Sequence, residues 1–273
     1  MILWQKHASA EWLAANELSL LEFAPDDLAI ISRPGQRRSL LQIPCRQRSR
    51  AEKLVHKFGG RARLLPPDWA QPQKARAPIR VGRRLLIVSD PAETTERAQL
   101  VIPTAGAFGT GEHATTAMSL RLLEETTRPL SRGWRLLDAG TGTGILALAA
   151  RFLGAGEVLG LDNDPRAVAH ARQNARLNHV ARARFVAADV LRWKPTARYD
   201  LITANLFSEL LIAALPRLQC ALQAHGQLII SGILREQAAA VESALLRRGF
   251  AIQKKRRRGK WVALLCRPRG GSG

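Results

Sequence analysis

The sequence predicts an α/β fold, a parallel sheet with helices on both faces, preceded by a smaller α+β unit. Three observations carry this. From Trp134 onward short apolar runs alternate with helix-like stretches, the pattern of strands joined by crossover helices. Those runs end at Asp138, Asp162, Asp189 and Asn205, which places polar side chains at the carboxyl ends of the strands, where such sheets bind ligands. Before them lie about 66 residues with their own rhythm of strands and helices, set off by a proline-rich segment at 67–78.

In the first 66 residues, 2–7 reads as a strand and 10–22 as a helix with Trp12, Leu13, Leu18 and Leu21 on its apolar side. Strands at 28–32 and 39–43 flank RPGQRR, a Pro-Gly turn. The helix at 49–58 shows Ser49 and Glu52 at capping-box spacing. Ala51, Leu54, Val55 and Phe58 share one of its faces, and Gly59-Gly60 stops it. A last strand covers 62–65. The order βαββαβ is that of a ferredoxin-like unit. After the stiff linker, 79–88 and 98–102 read as a strand pair leading into the larger unit at 79–268, and 269–273 as a disordered tail.

The larger unit opens on WRLLDAGTGTG. Arg135, Leu136 and Leu137 form an apolar run ending in Asp138, as a buried parallel strand does, and Gly140, Gly142 and Gly144 alternate with threonines before a helix begins. Glycine lets the chain turn tightly and approach a ligand closely. A second strand at 157–161 ends in Asp162, 22 residues after Gly140, the offset at which a carboxylate accepts from both hydroxyls of a ribose. The spacing G-x-G-x-G differs from the dinucleotide pattern G-x-G-x-x-G, and no basic residue beside the loop would meet a phosphate. Asp138 would repel phosphate and suit the amino group and sulfonium of S-adenosylmethionine. The reading is therefore a methyl donor bound by a Rossmann-like sheet.

The remaining elements follow in turn. Asp164 caps a helix whose first residue is Pro165. Strands at 184–188, 199–204 and 226–231 end near Asp189, Asn205 and Ser231. A helix at 234–248 stops at Gly249, and 250–253 with 261–266 make a hairpin around KKRRRGK, which completes a seven-stranded sheet.

With 46% hydrophobic residues in 273, there is ample apolar material for a core. A net charge of +20 favours acidic partners such as RNA or ribosomal particles, unless the arginine excess reflects codon composition. Cys45, Cys220 and Cys266 lie far apart without histidine partners, which predicts neither zinc nor disulfides, no metal, and a reducing compartment. Neither a signal-peptide core nor an apolar run of membrane-spanning length is present, so the expectation is a cytoplasmic protein with no membrane partner. No extended apolar surface is evident, so a monomer is expected.

Residues 107–116, AFGTGEHATT, are small, glycine-rich and hydroxylic, suited to closing over a ligand; the competing reading is a plain helix start capped by Thr115 or Thr116. With this segment the sequence resembles a family. FGTGEHATT, LLDAGTGTGILALAA, GLDNDPRAV, DLITANLFSELL and SGIL occur in the order found in the PrmA-type ribosomal protein methyltransferases, over roughly residues 76–268. The resemblance implies a class I S-adenosylmethionine-dependent methyltransferase fold with a small ferredoxin-like N-terminal domain that grips the substrate. It implies methylation of lysines, and of the N-terminal amine, of large-subunit ribosomal protein number eleven. It places Thr116, Gly140, Asp162 and Asn205 at donor-binding positions, and Gly142 lies in the same loop. The chain departs from the family at Thr141, often cysteine, and at GEHATT, often GTHPTT; its first 66 residues match by topology and hardly by motif.

The chemistry then assigns further roles. An amine must lose its proton before it attacks the methyl group, and positioning supplies much of the rate. Asn205 is the catalytic candidate, its side-chain carbonyl accepting from the amine, with the Leu206 backbone carbonyl as a second acceptor. Phe207 is either an apolar wall of the substrate site or a core residue. Asp189 is placed to meet the adenine amino group, with a capping role as the rival. His113 is either a substrate contact or a scaffold histidine. The basic run 254–260 either touches ribosomal RNA or is a solvated turn. Two other functions stay open: an RNA base N-methyltransferase, for which Phe207 is the stacking candidate, and a ribosome-binding module with a vestigial donor site.

Overall fold

In the computed structural model the described residues are 1–24, 28–31, 38–65, 77–89, 98–103 and 111–269. The RPGQRR turn (apart from Arg38), most of the 67–78 linker, residues 107–110 of the glycine-rich segment and the tail beyond Arg269 lie outside them, as do the side chains of Leu18 and Leu21. The chain divides into two compact units, Met1–Lys74 and Ala75–Gly273.

The smaller unit runs β1 (Ile2–Ser9), α1 (Ala10–Phe23), β2 (Ala29–Ile31), β3 (Arg38–Cys45), α2 (Arg48–Phe58) and β4 (Arg61–Leu64). Its sheet has the order β2-β3-β1-β4, with every neighbouring pair antiparallel, which is the ferredoxin-like arrangement. Ser9 caps α1, its hydroxyl accepting from the Trp12 N–H. The core gathers Trp4, Leu20, Leu41, Ile43, Leu54 and Phe58, with Trp12 and Leu13 packed against it. The expected capping box does not form. Helix α2 begins one residue earlier, at Arg48; Gln47 sits at the cap without a side-chain bond, and Glu52 pairs instead with Arg48 at 2.9 Å. An i,i+4 ion pair has taken the carboxylate that the box required. The helix does stop at Gly59, whose φ of 69° suits glycine.

In the larger unit the expected strand at 79–88 is two strands, β5 (Ile79–Val81) and β6 (Leu85–Val88), paired antiparallel; β7 (Ala98–Val101) lies parallel to β6. The break falls at Gly82, where φ is +59° and a side chain would overlap the Glu124 carboxylate. Glu124 is almost fully buried and satisfied there by Arg84 and Arg128.

The central sheet contains β8 (Arg135–Ala139), β9 (Glu157–Asp162), β10 (Ala183–Ala187), β11 (Tyr199–Asn205), β12 (Leu222–Leu234), β13 (Phe250–Arg258) and β14 (Trp261–Pro268). Its order is β10-β9-β8-β11-β12-β14-β13, parallel except for β14, which runs against both neighbours. The helices α3 (Ala114–Thr126), α4 (Ile145–Phe152), α5 (Pro165–Leu177), α6 (Ser208–Ala221) and α7 (Ala238–Arg247) alternate with these strands. The period of two places Leu136, Val158, Leu201 and Ile229 in the core cluster shared with α3 and α4. Their neighbours Leu137, Leu159, Ile202 and Ile230 enter the cluster shared with α6 and α7. Burial on both faces is why these strands read as unbroken apolar runs. Asp164 caps α5 as expected, its Oδ1 accepting from Arg166 N–H at 2.8 Å.

The closing hairpin is longer than expected. Its turn is only Gly259-Lys260, so Lys254, Lys255 and Arg256 to Arg258 belong to strand β13 and not to a solvated turn. β13 is the outermost strand, and charged residues there discourage edge-to-edge pairing. Helix α7 is also shorter than its pattern, starting at Ala238 after a single 3-10 turn at Arg235–Gln237.

Candidate active site

The carboxyl edge of the parallel sheet brings together the loop after β8, the end of β9, the end of β11 and the first turn of α3. Gly140 and Gly142 have φ of 74° and 53°, and Gly144 has 80°. A β-carbon at Gly140 would overlap the Leu206 side chain, and one at Gly144 would press on Ala171 and Phe185. Gly140 and Gly144 are therefore required both by conformation and by the packing of the loop against Leu206, Ala171 and Phe185, and Gly142 by its conformation.

The loop's own N–H groups are largely spoken for. Those of Gly140 and Thr141 both donate to the Leu161 carbonyl at 2.8 Å, that of Gly144 to the Thr141 carbonyl, and that of Gly142 to Asp162 Oδ2 at 2.9 Å. A phosphate-binding loop presents such donors outward; here they close the loop on its scaffold. This geometry disfavours a pyrophosphate.

Asp162 joins two segments, accepting from Gly142 N–H through Oδ2 and from Asp164 N–H at 3.0 Å through Oδ1. Each oxygen keeps a further lone-pair direction for a ribose hydroxyl. Asp138 differs from the expectation that it faces the donor's amino group and sulfonium. It is fully buried beneath the loop, with Oδ1 accepting from Thr203 and Oδ2 from Thr141, both at 2.7 Å. Burial pushes its carboxyl up to about 6 against these stabilising bonds. Its work is to hold the glycine loop onto β11.

Asn205 ends β11 with its side-chain N–H₂ 3.4 Å from the Thr116 hydroxyl, so these two predicted residues do converge. Thr115 and Thr116 are both buried inside α3, and neither caps it; His113 occupies the cap position without a side-chain cap bond. The His113 ring lies edge-on to Trp261 with centroids 5.1 Å apart, and its Nδ1 is 2.8 Å from the Thr115 hydroxyl. Burial and then the Lys260 charge lower its pKa, favouring the neutral ring. These contacts hold His113 at the α3 N-terminus.

Beyond Asn205 the chain turns through Leu206 and Phe207 into α6. Leu206 N–H donates to the Ser231 carbonyl at 3.1 Å, and the Ser231 hydroxyl donates to the Thr115 carbonyl at 3.1 Å. Ser231 thus ties the turn to α3. Phe207 does not pack in the core: it is 74% exposed. Asp189 follows β10 and is exposed; its Oδ1 accepts from Leu191 N–H at 2.9 Å, a local turn-forming bond, and it lies near Arg192. It stands two residues beyond Ala187, the register partner of Asp162.

Three contributors escaped the sequence reading. Thr203 and Thr141 are the hydroxyls that satisfy Asp138, and nothing in a strand or a glycine loop distinguishes them. Gly232 has φ +86° with a β-carbon position blocked by the Leu206 backbone, at an irregularity of β12 between Ile230 and Ile233. A glycine inside an apolar strand is a recognised sign of a bulge and was the available signal. Among the described residues no His/Cys/Asp/Glu group could hold a metal ion, and no helix is long and apolar enough to cross a membrane.

Comparison with known proteins places this geometry. The family model described as ribosomal protein L11 methyltransferase (PrmA) matches residues 44–269. A protein named ribosomal protein L11 methyltransferase from Lacticaseibacillus paracasei is 40% identical over 202 residues, 72% of this chain and 63% of that protein. A protein of the same name from Pelotomaculum thermopropionicum is 42% identical over 204 residues, 73% of this chain and 65% of that protein. The chain therefore spans less than two thirds of the length of these two relatives. The crystal structure of a ribosomal protein L11 methylase from Lactobacillus delbrueckii subsp. bulgaricus superposes with a TM-score of 0.64 at 32% identity, covering 71% of this chain and all of that one. From the match of its larger unit, its central sheet and the end of its smaller unit to that model, the chain belongs to the ribosomal protein L11 methyltransferase (PrmA) family.

Proposed function

We propose that the protein transfers methyl groups from S-adenosylmethionine to lysine amines, and to the N-terminal amine, of ribosomal protein L11. The observation that carries the reading is the pairing of Asn205 with Thr116 at the carboxyl edge of the sheet, in a chain whose family is named ribosomal protein L11 methyltransferase. The residues fit the donor: Asp162 retains acceptor directions for the ribose, Gly140 and Gly142 give a loop closed against phosphate, and Asp189 stands at the end of β10 for the adenine amino group. When bound, the donor supplies an activated methyl group on a sulfonium.

The chain's own residues then place the acceptor. The side-chain carbonyl of Asn205 accepts from the incoming neutral amine, and the Leu206 carbonyl offers a second acceptor, which together orient the nitrogen lone pair. Thr116 holds the Asn205 amide so that its carbonyl faces the acceptor. Phe207 forms an apolar wall that disfavours the charged ammonium. The smaller unit, residues 1–66 joined through 67–78 to the catalytic unit at 79–268, holds the substrate protein. The enzyme works as a cytoplasmic monomer, and its basic surface extends the partnership to ribosomal RNA.

The test uses radiolabelled S-adenosylmethionine, the full chain and undermethylated ribosomal extract, digested in parallel with protease and ribonuclease. Label in one small protein, lost on proteolysis and absent with Asn205→Ala, supports the reading. Label that survives protease and is lost to ribonuclease moves the reaction to an RNA base, a reading favoured by the exposure of Phe207 beside Asn205.

A further inference from the structure

Helix α5 meets the glycine loop and its carboxylate at three levels. At its start the Asp164 N–H donates to Asp162 Oδ1 at 3.0 Å. Two turns on, the Ala171 side chain lies 3.0 Å from where a β-carbon on Gly144 would stand. One turn further, the buried Asn174 donates through its side-chain N–H₂ to the Thr143 carbonyl at 2.9 Å. Ala171, Asn174 and Asn178 are spaced by three and four residues, so they share one face of the helix.

The far end of α5 is anchored by the same kind of side chain. The Asn178 amide accepts from the Val101 N–H and donates to the Val101 carbonyl, both at 2.7 Å, and it donates to the Asn174 carbonyl at 2.8 Å. Val101 ends β7, an outer strand of the sheet β5-β6-β7, so here a side-chain amide stands in for a neighbouring strand. Both donor hydrogens and the oxygen of Asn178 are engaged.

These bonds close a circuit. It runs from Asp162 to the Gly142 N–H, along the chain to Thr143, across to Asn174, and down α5 through Asp164 back to Asp162. Gly142 and Gly144 flank Thr143 with φ of 53° and 80°. Glycine restrains its neighbours little, so the bond from Asn174 is what fixes the plane of the peptide after Thr143.

We infer that Asn174 is a positioning residue for the methyl donor, setting the glycine loop through the Thr143 carbonyl in the form that S-adenosylmethionine meets. Asn178 keeps α5 from sliding along its axis. The neighbouring buried positions Val168, Ala171 and Ala175 are apolar, so packing by itself does not require an amide at 174. A loop held in shape before binding spares the ligand the cost of ordering it. The inference rests on the proposed donor and concerns its binding, not the transfer step.

The experiment compares the full-length wild type with Asn174→Leu, which keeps the volume of the side chain and removes its donor, and with Asn174→Ala. Arg176→Gly is the control, because it weakens the same helix at an exposed position and leaves both asparagines in place. Titration calorimetry with S-adenosylmethionine gives donor affinity, steady-state rates give kcat and the donor KM, and amide hydrogen exchange follows the glycine loop. Expected for both Asn174 variants is a donor affinity lower by about tenfold, the scale of one hydrogen bond to a buried carbonyl. The KM should rise to match, kcat at saturating donor should stay within about twofold, and exchange at the Gly142 and Gly144 N–H groups should quicken. The control should keep wild-type affinity and loop protection at a lower melting temperature. Wild-type donor affinity in Asn174→Leu would overturn the inference, as would an equal loss in the control or a fall in kcat with KM unchanged. A wild type that bound no S-adenosylmethionine would remove the functional reading instead, and the exchange comparison would still decide whether Asn174 holds the loop.

Discussion

Gly232 and Leu206 meet backbone to backbone: a β-carbon on Gly232 would fall well inside van der Waals contact with the Leu206 carbonyl. The φ of Gly232, +86°, is one that side chains with a β-carbon rarely adopt. Gly232→Ala is therefore expected to displace the turn that carries Asn205, at a cost of about 1–3 kcal/mol in stability. Methyl transfer should fall by at least about tenfold, since small misplacements at a reacting centre are amplified. Thermal unfolding and steady-state rates on the same preparation check this; a variant with full activity would show that the turn does not position the acceptor.

Asp162 closes the glycine loop and faces the proposed ribose. Asp162→Asn keeps the shape but can accept from only one of Gly142 N–H and Asp164 N–H through its single oxygen. Donor affinity is expected to drop about 10- to 100-fold, in keeping with the loss of charge-assisted bonds worth about 1.5–3 kcal/mol. Titration calorimetry with S-adenosylmethionine reads it directly.

Asn205→Ala removes the proposed amine acceptor while leaving Asp162 and the glycine loop untouched. The turnover number should fall about 10²- to 10³-fold, with donor affinity changed by only a few-fold. An equal loss in donor affinity would reassign Asn205 to the donor alone.

Asp138 gives a pH signature. Its folded-state value is raised, to about 6 from 3.8, so its contribution to stability is fully present below the unfolded value and is lost as pH rises through about 6. Asp138→Asn removes that titration and is expected to flatten the dependence of unfolding free energy on pH between about 4 and 6, where the shift corresponds to roughly 3 kcal/mol. Denaturant titrations at several pH values decide the matter, because a purely structural loss would lower stability equally at all of them.

Much of this was legible in the sequence, for identifiable reasons. The parallel strands were readable because burial on both faces makes them continuous apolar runs, and Asp162 and Asn205 because each ends such a run. Helix α5 was readable because Asp164-Pro165 is a local signal that its own backbone satisfies. What escaped depended on competing partners, some close in sequence and most of them distant. Glu52 was drawn to Arg48 and away from a capping box, and Gly82 breaks a strand because Glu124, some forty residues on, needs the space. Asp138 carries a charge that suits a cationic ligand, yet Thr203 from another strand claims it. The extent of β13 was missed because a run of lysines and arginines has no apolar period, although at a sheet edge that composition is favourable.

The closure of the glycine loop has a consequence for turnover. On the proposed reading Asp162 faces the sugar, and that part of the cofactor is the same before and after the methyl group leaves. Such contacts bind the spent cofactor as firmly as the fresh one, so they lower the energy of both alike and do not accelerate the transfer. On that reading, discrimination between the two falls to the few atoms around Asn205 and Thr116, and the spent cofactor competes with the fresh one for the site.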